Sequence, residues 1–197
     1  MNPIKHIRQS ALSIFRHKMR RYHACDRGSI VVEFGLSVPV FIAILLGLVE
    51  LGNYLQTQLK VYHTSVTIAD LITRDEVISE AGITDIFSAA GHVMAPYPLG
   101  AASKIIITNI HKPTDEKARI LWQRDGAGSM TASSKFGRTG DEITTVDGIT
   151  LHDNESIIIA EIYYDYTPIV APKFQAQRIY KTTFYRPRIG ALTSIDP

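Results

Sequence analysis

Two glutamates, Glu33 and Glu50, bracket sixteen residues without a charge, 34–49. A carboxylate in the lipid region is costly and usually needs a partner. The other way for Glu33 to be stable is to sit in water at a membrane surface. Other residue types that could do chemistry lack the spacing for it. His63, His92, His111 and His152 are scattered without ligand periodicity. The run from His152 to Glu155 could hold an ion, but it reads as a polar turn before a strand. Residues 126–129, Gly-Ala-Gly-Ser, lack the lysine and following helix of a phosphate loop. No Ser, His and Asp order suggests a hydrolase elbow. A single cysteine, Cys25, excludes an internal disulfide and a cysteine-pair zinc site. No metal, cofactor or catalytic residue is expected, and the chain is not read as an enzyme.

The element that carries both glutamates is a helix. Residues 29–51 would span roughly 35 Å, and 34–49 alone roughly 24 Å, at ~1.5 Å per residue. About 20 mostly apolar residues cross a bilayer. A core helix of a soluble protein passes the same length test, but the charge pattern argues against it. Residues 1–28 hold seven basic and one acidic residue, a net +6, whereas 29–197 hold 14 basic and 18 acidic, a net −4. That asymmetry places the N-terminus on the cytoplasmic side of a membrane and the body on the far side. The basic residues of the body are interspersed with acids and form no aromatic-interleaved patch, so nucleic acid is not an expected partner. The stretch after Leu46 is a poor signal-peptidase site.

The residues Asp26-Arg27-Gly28, Glu33-Phe34, Pro39 and Gly47-Leu-Val-Glu-Leu-Gly52 resemble the TadE/TadF-like minor pseudopilins of the Tad (Flp) pilus system. The resemblance covers about a quarter of the chain, from Asp26 to Arg74. It implies a bacterial inner-membrane protein, processed by a prepilin peptidase between Gly28 and Ser29. It also implies partners among pilin and pseudopilin subunits, the inner-membrane assembly platform and membrane lipid. Cutting there would remove Cys25 and free an α-amino group with a reference pKa of ~7.7. Glu33 would then be the fifth residue, just over one turn away. In pilin-like assemblies such a glutamate pairs with a neighbour's terminal amine, which gives Glu33 and Phe34 an assembly and register role. Type IV pilins often begin with Phe or Met, where this chain has Ser29.

Pro39 removes a backbone donor and crowds the carbonyl of Gly35, so a kink is expected between them unless the helix simply tolerates the proline. Gly47, Glu50 and Gly52 are candidate helix-contact residues. Beyond the span, Leu51, Leu55, Leu59, Tyr62, Val66, Ala69 and Ile72 recur at steps of three or four. This predicts one helix over residues 31–73, packed by that stripe on a domain or paired along it as a coiled-coil seam. The expected organisation is a basic leader (1–28), a transmembrane segment (29–51), a periplasmic extension of the helix (52–76) and a periplasmic domain (77–197).

In that domain, residues 84–94 predict a second helix with Thr84 as cap. Strands are predicted at 104–110, 118–123, 156–167 and 178–186, and a long loop or loose hairpin at 126–148. Along 156–167, Ile158, Ala160, Ile162, Tyr164 and Tyr166 share one face. The tyrosines read as sheet packing, with room for one edge tyrosine to meet a partner subunit. The fold class is therefore α+β: a long N-terminal transmembrane and amphipathic helix packed on a small antiparallel sheet, pilin-like, in a single-pass membrane protein. The alternative function is an uncleaved signal-anchored protein with a periplasmic ligand-binding domain.

Overall fold

A computed structural model describes residues 26–144, 146, 148–170 and 176–197. The basic leader up to residue 25, with Cys25, lies outside the described residues, and the side chains are described from Ile30 onward. The chain divides into two units, Met1–Val49 and Glu50–Pro197.

Helix α1, Asp26–Ile72, contributes to both. In the first unit it is a run of exposed apolar side chains, and Pro39 lies inside the helix. In the second unit, Val61, Ile68, Ala69 and Ile72 of α1 enter the main core. The order that follows is β1 (Ile78–Ser79), α2 (Glu80–Met94), β2 (Ser103–Lys112), β3 (Ala118–Gly126), β4 (Glu142–Ile143), β5 (Glu155–Tyr166), β6 (Gln177–Tyr185) and β7 (Ile195–Asp196). The main sheet runs β4-β3-β2-β5-β6, antiparallel throughout, with Ile105 opposite Ile162 and Glu161 opposite Thr182. A short parallel pair, β1 with β7, closes the C-terminus back on the segment after α1. The α+β expectation holds, and all four expected strands form within three residues of their predicted ends.

Three expectations need correction. The first concerns the stripe on α1. Leu51, Leu55, Leu59 and Tyr62 are about half exposed, whereas Thr57, Val61, Thr64, Ser65, Ile68, Ala69 and Ile72 are buried. Two residues along a helix at 3.6 per turn are about 200° apart, so the buried line from Thr57 lies opposite Leu55 and Leu59. Hydroxyl residues take the core face because each satisfies its own polar group. Thr57 donates to the Asn53 carbonyl (2.8 Å), Thr64 to Lys60 (2.8 Å) and Ser65 to Tyr62 (2.8 Å). Their small bulk lets the sheet come close, and the buried Thr183 hydroxyl of β6 donates to the Ser65 carbonyl at 3.0 Å.

The second correction is the start of α2. Ser79, not Thr84, is the cap, its Oγ accepting from the Gly82 N–H at 3.0 Å. Thr84 already lies inside the helix and donates back to the Glu80 carbonyl at 3.0 Å. Gly82 in the first turn hides this start from a propensity reading.

The third correction is the segment 126–148, which is a packed cover and not a loose hairpin. Strand β5 is buried on both faces. One face (Ile158, Ala160, Ile162, Tyr164, Tyr166) meets the helices in the main core. The other meets this cover: Ile157 and Ile159 pack with Val146 and Leu151, and Tyr163 packs with Met130. Gly128 lets the cover start flush on β2, since a Cβ there would lie 2.0 Å from the Ser103 carbonyl oxygen. Ser103 Oγ in turn donates to the Ala127 carbonyl at 2.8 Å.

A wholly buried acid, Glu161, ties the cover to the sheet. Its Oε1 accepts from the Lys135 N–H (3.0 Å) and the Tyr180 hydroxyl (2.9 Å). Tyr163 gives its hydroxyl to the Ser133 carbonyl (2.9 Å). Burial, with Glu161 adding to it, pushes the Tyr163 hydroxyl up to about 12, so it remains a donor at any physiological pH. Glu161→Ala should lower the unfolding free energy by about 1–2 kcal/mol by taking the acceptor from the part-buried Lys135 N–H and Tyr180 hydroxyl, and Glu161→Gln, which keeps an acceptor, by less. Denaturation in detergent micelles, followed by the fluorescence of buried Trp122, checks this. Equal losses for both variants would remove the acceptor from the account.

Candidate functional site

In the first unit, thirteen large apolar side chains between Ile30 and Val49 are exposed, from Leu46 at 42% to Val31 at 71%. Burying such a side chain is worth ~1.5–3 kcal/mol, so the set stands for roughly 20–40 kcal/mol. That exceeds the ~5–15 kcal/mol by which a whole domain is stable. An apolar helix of this kind needs lipid or other apolar helices around it. Within Ile30–Ile72 the helix is long and apolar enough to cross a membrane, and none of its most apolar window is buried in protein. It is consistent with a membrane anchor.

The sequence-predicted residues fall along this helix. Gly28 and Ser29 lie in the first turn of the described backbone. Glu33 and Phe34 follow, with Phe34 70% exposed, and Ser37 donates to the Glu33 carbonyl at 2.7 Å. Gly35 and Pro39 are both helical. At Gly35, Gly47 and Gly52 an added Cβ would meet nothing within 4 Å. Among the described residues, none of these three glycines is brought against another element.

Glu50 is different. Its carboxylate is held by the C-terminal end of β5 and the loop beyond it, 116 to 120 residues away in sequence. The Tyr166 hydroxyl donates a short hydrogen bond to Oε1. The backbone N–H groups of Ile169 and Val170 donate to Oε2 at 3.0 and 2.8 Å. Charge-assisted bonds of this type are the strong ones. Burial and the adjoining carboxylate raise the Tyr166 hydroxyl well above the ordinary tyrosine range, so it stays a donor. Tyr166 also meets Tyr54 edge-on, with ring centroids 5.4 Å apart. Gln58 donates to the Tyr54 hydroxyl at 2.8 Å, and Tyr97 donates to Gln56 Oε1 at 3.1 Å. Tyr166 and Tyr97 thus meet α1 at Glu50, Tyr54 and Gln56, just after the apolar run.

Sequence reasoning reached Tyr166 as a packing residue and Glu50 as a helix-contact residue, but it did not join them. Tyr54 and Tyr97 were missed altogether. The available signal was the facing position of Tyr164 and Tyr166, at alternate places along one strand.

Elsewhere among the described residues the side chains form no reacting constellation. His111 Nδ1 lies 2.9 Å from Ser156 Oγ, and His152 belongs to the polar turn closed by Glu155, which accepts its N–H at 2.9 Å. Among the described residues no group of three His, Cys, Asp or Glu could hold a metal ion. A groove beside the cover is lined by Lys104, Asp125, Ser133, Arg138 and Asp141, and Lys104 and Asp125 close an ion pair across it at 2.8 Å.

Glu50→Ala should release the loop and raise amide exchange at Ile169 and Val170 by about tenfold. Tyr166→Phe, which leaves both amide bonds in place, should change those two rates far less. Hydrogen–deuterium exchange resolved over residues 167–170 distinguishes them.

Residues 28–65 match the family model described as TadE-like protein. The match covers about a fifth of the chain, starts at Gly28 and ends within α1, before any strand. The resemblance to TadE/TadF-like proteins is borne out over that stretch and points to a component associated with the Tad pilus. No curated protein and no solved structure matches the chain.

Proposed function

From a TadE-like N-terminal segment on an exposed apolar helix, we propose that this chain is a minor pseudopilin, a structural and assembly component of a Tad (Flp, type IV-like) pilus machine. The observation that carries the reading is the coincidence of the family match with the helix whose apolar surface has no protein cover. The body supports it too: a small antiparallel sheet packs on the second half of the same helix, so one element serves both the bilayer and the domain.

The mechanism is packing, not turnover. The precursor enters the inner membrane with its basic leader in the cytoplasm and its body in the periplasm. A prepilin peptidase cuts between Gly28 and Ser29, and residues 29–197 remain. The new amine and Glu33 then offer opposite charges within the apolar zone, where a carboxylate needs a partner. Pairing between subunits sets their axial register, while the exposed side chains from Ile30 to Val49 exchange lipid for neighbouring helices. Pilin and pseudopilin subunits and the assembly platform are the partners.

Mass spectrometry of protein extracted from membranes that also contain the peptidase should give a chain beginning at Ser29. An intact N-terminus under those conditions would overturn the pseudopilin reading in favour of an uncleaved anchor. Glu33→Leu should still be inserted and processed, yet lose most of its incorporation into assemblies, as read by co-purification with pilus subunits. Undiminished incorporation would remove Glu33 from the register role.

A further inference from the structure

Strand β6 is the outer strand of the main sheet, and among the described residues nothing pairs with its far edge. In an antiparallel sheet alternate residues turn their N–H and C=O groups to opposite sides, so about four residues of β6 offer backbone donors and acceptors outward. Exposure agrees: ten of the twelve residues of β5 are buried, but of the nine in β6 only Ile179 and Thr183 are. The opposite edge of the sheet is short, since β4 has two residues. No proline or glycine interrupts Gln177–Tyr185. A long, regular edge is a ready template for another strand.

The side chains along the edge select the strand that fits. From residue 177 to 194 there are four cations, Arg178, Lys181, Arg186 and Arg188, and no acid, in a body that is net acidic. Arg178, Arg186 and Arg188 are about half exposed, and the acids they meet, Asp165, Glu155 and Asp70, belong to β5 and α1. Among the described residues Lys181 forms no ion pair. On the cover side of β6, Tyr180 and Phe184 are partly buried. Lys135 Nζ lies 3.5 Å from the Tyr180 ring centre, and Phe136 meets Phe184 edge-on at 5.6 Å. Aromatic residues in a strand pair well with β-branched ones across the next strand. Two β6 strands paired edge to edge would set cation against cation, which is destabilising, and a lysine on an edge is a common guard against that event. An acidic strand meets no such barrier.

We infer that the outer edge of β6 takes up an extended acidic segment of a partner protein as a sixth strand of the sheet. Main-chain hydrogen bonds supply the affinity, as in other strand additions, while Arg178, Lys181 and Arg186 select for carboxylates. Tyr180 and Phe184 receive the apolar side chains that alternate with them. The edge lies wholly within the Glu50–Pro197 unit, so its occupant is independent of the membrane reading of α1.

The test uses the full chain in micelles of a neutral detergent. Its probe is a capped peptide of alternating glutamate and valine, as long as β6, with a second peptide carrying lysine for glutamate as the control. The alternation lets the acids seat on either face of the sheet. Fluorescence anisotropy of the labelled peptides should show saturable binding at least tenfold tighter for the acidic one. Hydrogen–deuterium exchange should slow at alternate amides of 177–185 and stay unchanged in β3. Lys181→Glu, or Arg186→Glu should the first variant fail to fold, should weaken the acidic peptide several-fold and strengthen the basic one. No saturable binding, equal binding of the two peptides, or protection confined to other elements overturns the inference. Protection of β6 without peptide that grows with protein concentration would assign the edge to a second copy. Protection that appears when phosphatidylglycerol is added to the micelles would assign these cations to lipid headgroups. Either result overturns it as well.

Discussion

An apolar surface that no described residue covers governs this molecule. The side chains from Ile30 to Val49 expose more hydrophobic free energy than a folded domain has to spare. Some other medium or other helices must cover them, and the rest of the architecture accommodates that need. The helix that carries the surface runs on into a core. Around Glu50 the chain turns from apolar to mixed composition. A lone carboxylate there would be a liability. Its three donors from the end of β5 and the following loop make it a joint.

Past that joint, the helix packs by means of residues that a hydropathy scale overlooks. Thr57, Thr64 and Ser65 bury their hydroxyls by returning them to the carbonyls of the preceding turn. Once satisfied, they behave as small packing residues and allow the β6 hydroxyl of Thr183 to reach the helix backbone. The larger side chains Leu51, Leu55 and Leu59 are thereby left outside. The same helix thus carries a tight, small-residue face toward its sheet and a bulky apolar face away from it.

The sheet shows a parallel division. β5 is sandwiched, with the helices on one face and the 127–151 segment on the other. Glycine- and serine-rich composition suggested a loose excursion, yet Gly128 is required for close approach and Met130, Phe136, Val146 and Leu151 supply the apolar contacts. Sparse apolar residues separated by polar ones give no periodicity, so a cover of this type is invisible to pattern reading even though each contact is ordinary. Glu161 shows the limit from the other direction. It is an acid in the middle of a strand's apolar face, and the fold gives it a tyrosine hydroxyl and a backbone amide as donors.

What the sequence by itself determined was whatever depends on local composition and period. The apolar run, its basic leader, the helix that continues past it, the four strands, the α+β class and the resemblance from Asp26 onward all rest on neighbours within a few tens of residues. What only the tertiary structure decided was pairing at a distance. It selected the face of α1 that meets the sheet, the residue that caps α2, the cover over β5 and the donors that engage Glu50. Apolar burial is non-directional and can be read from a list of residue types. A hydrogen bond needs a specific donor at about 3 Å, and no local pattern says which part of the chain will bring it there.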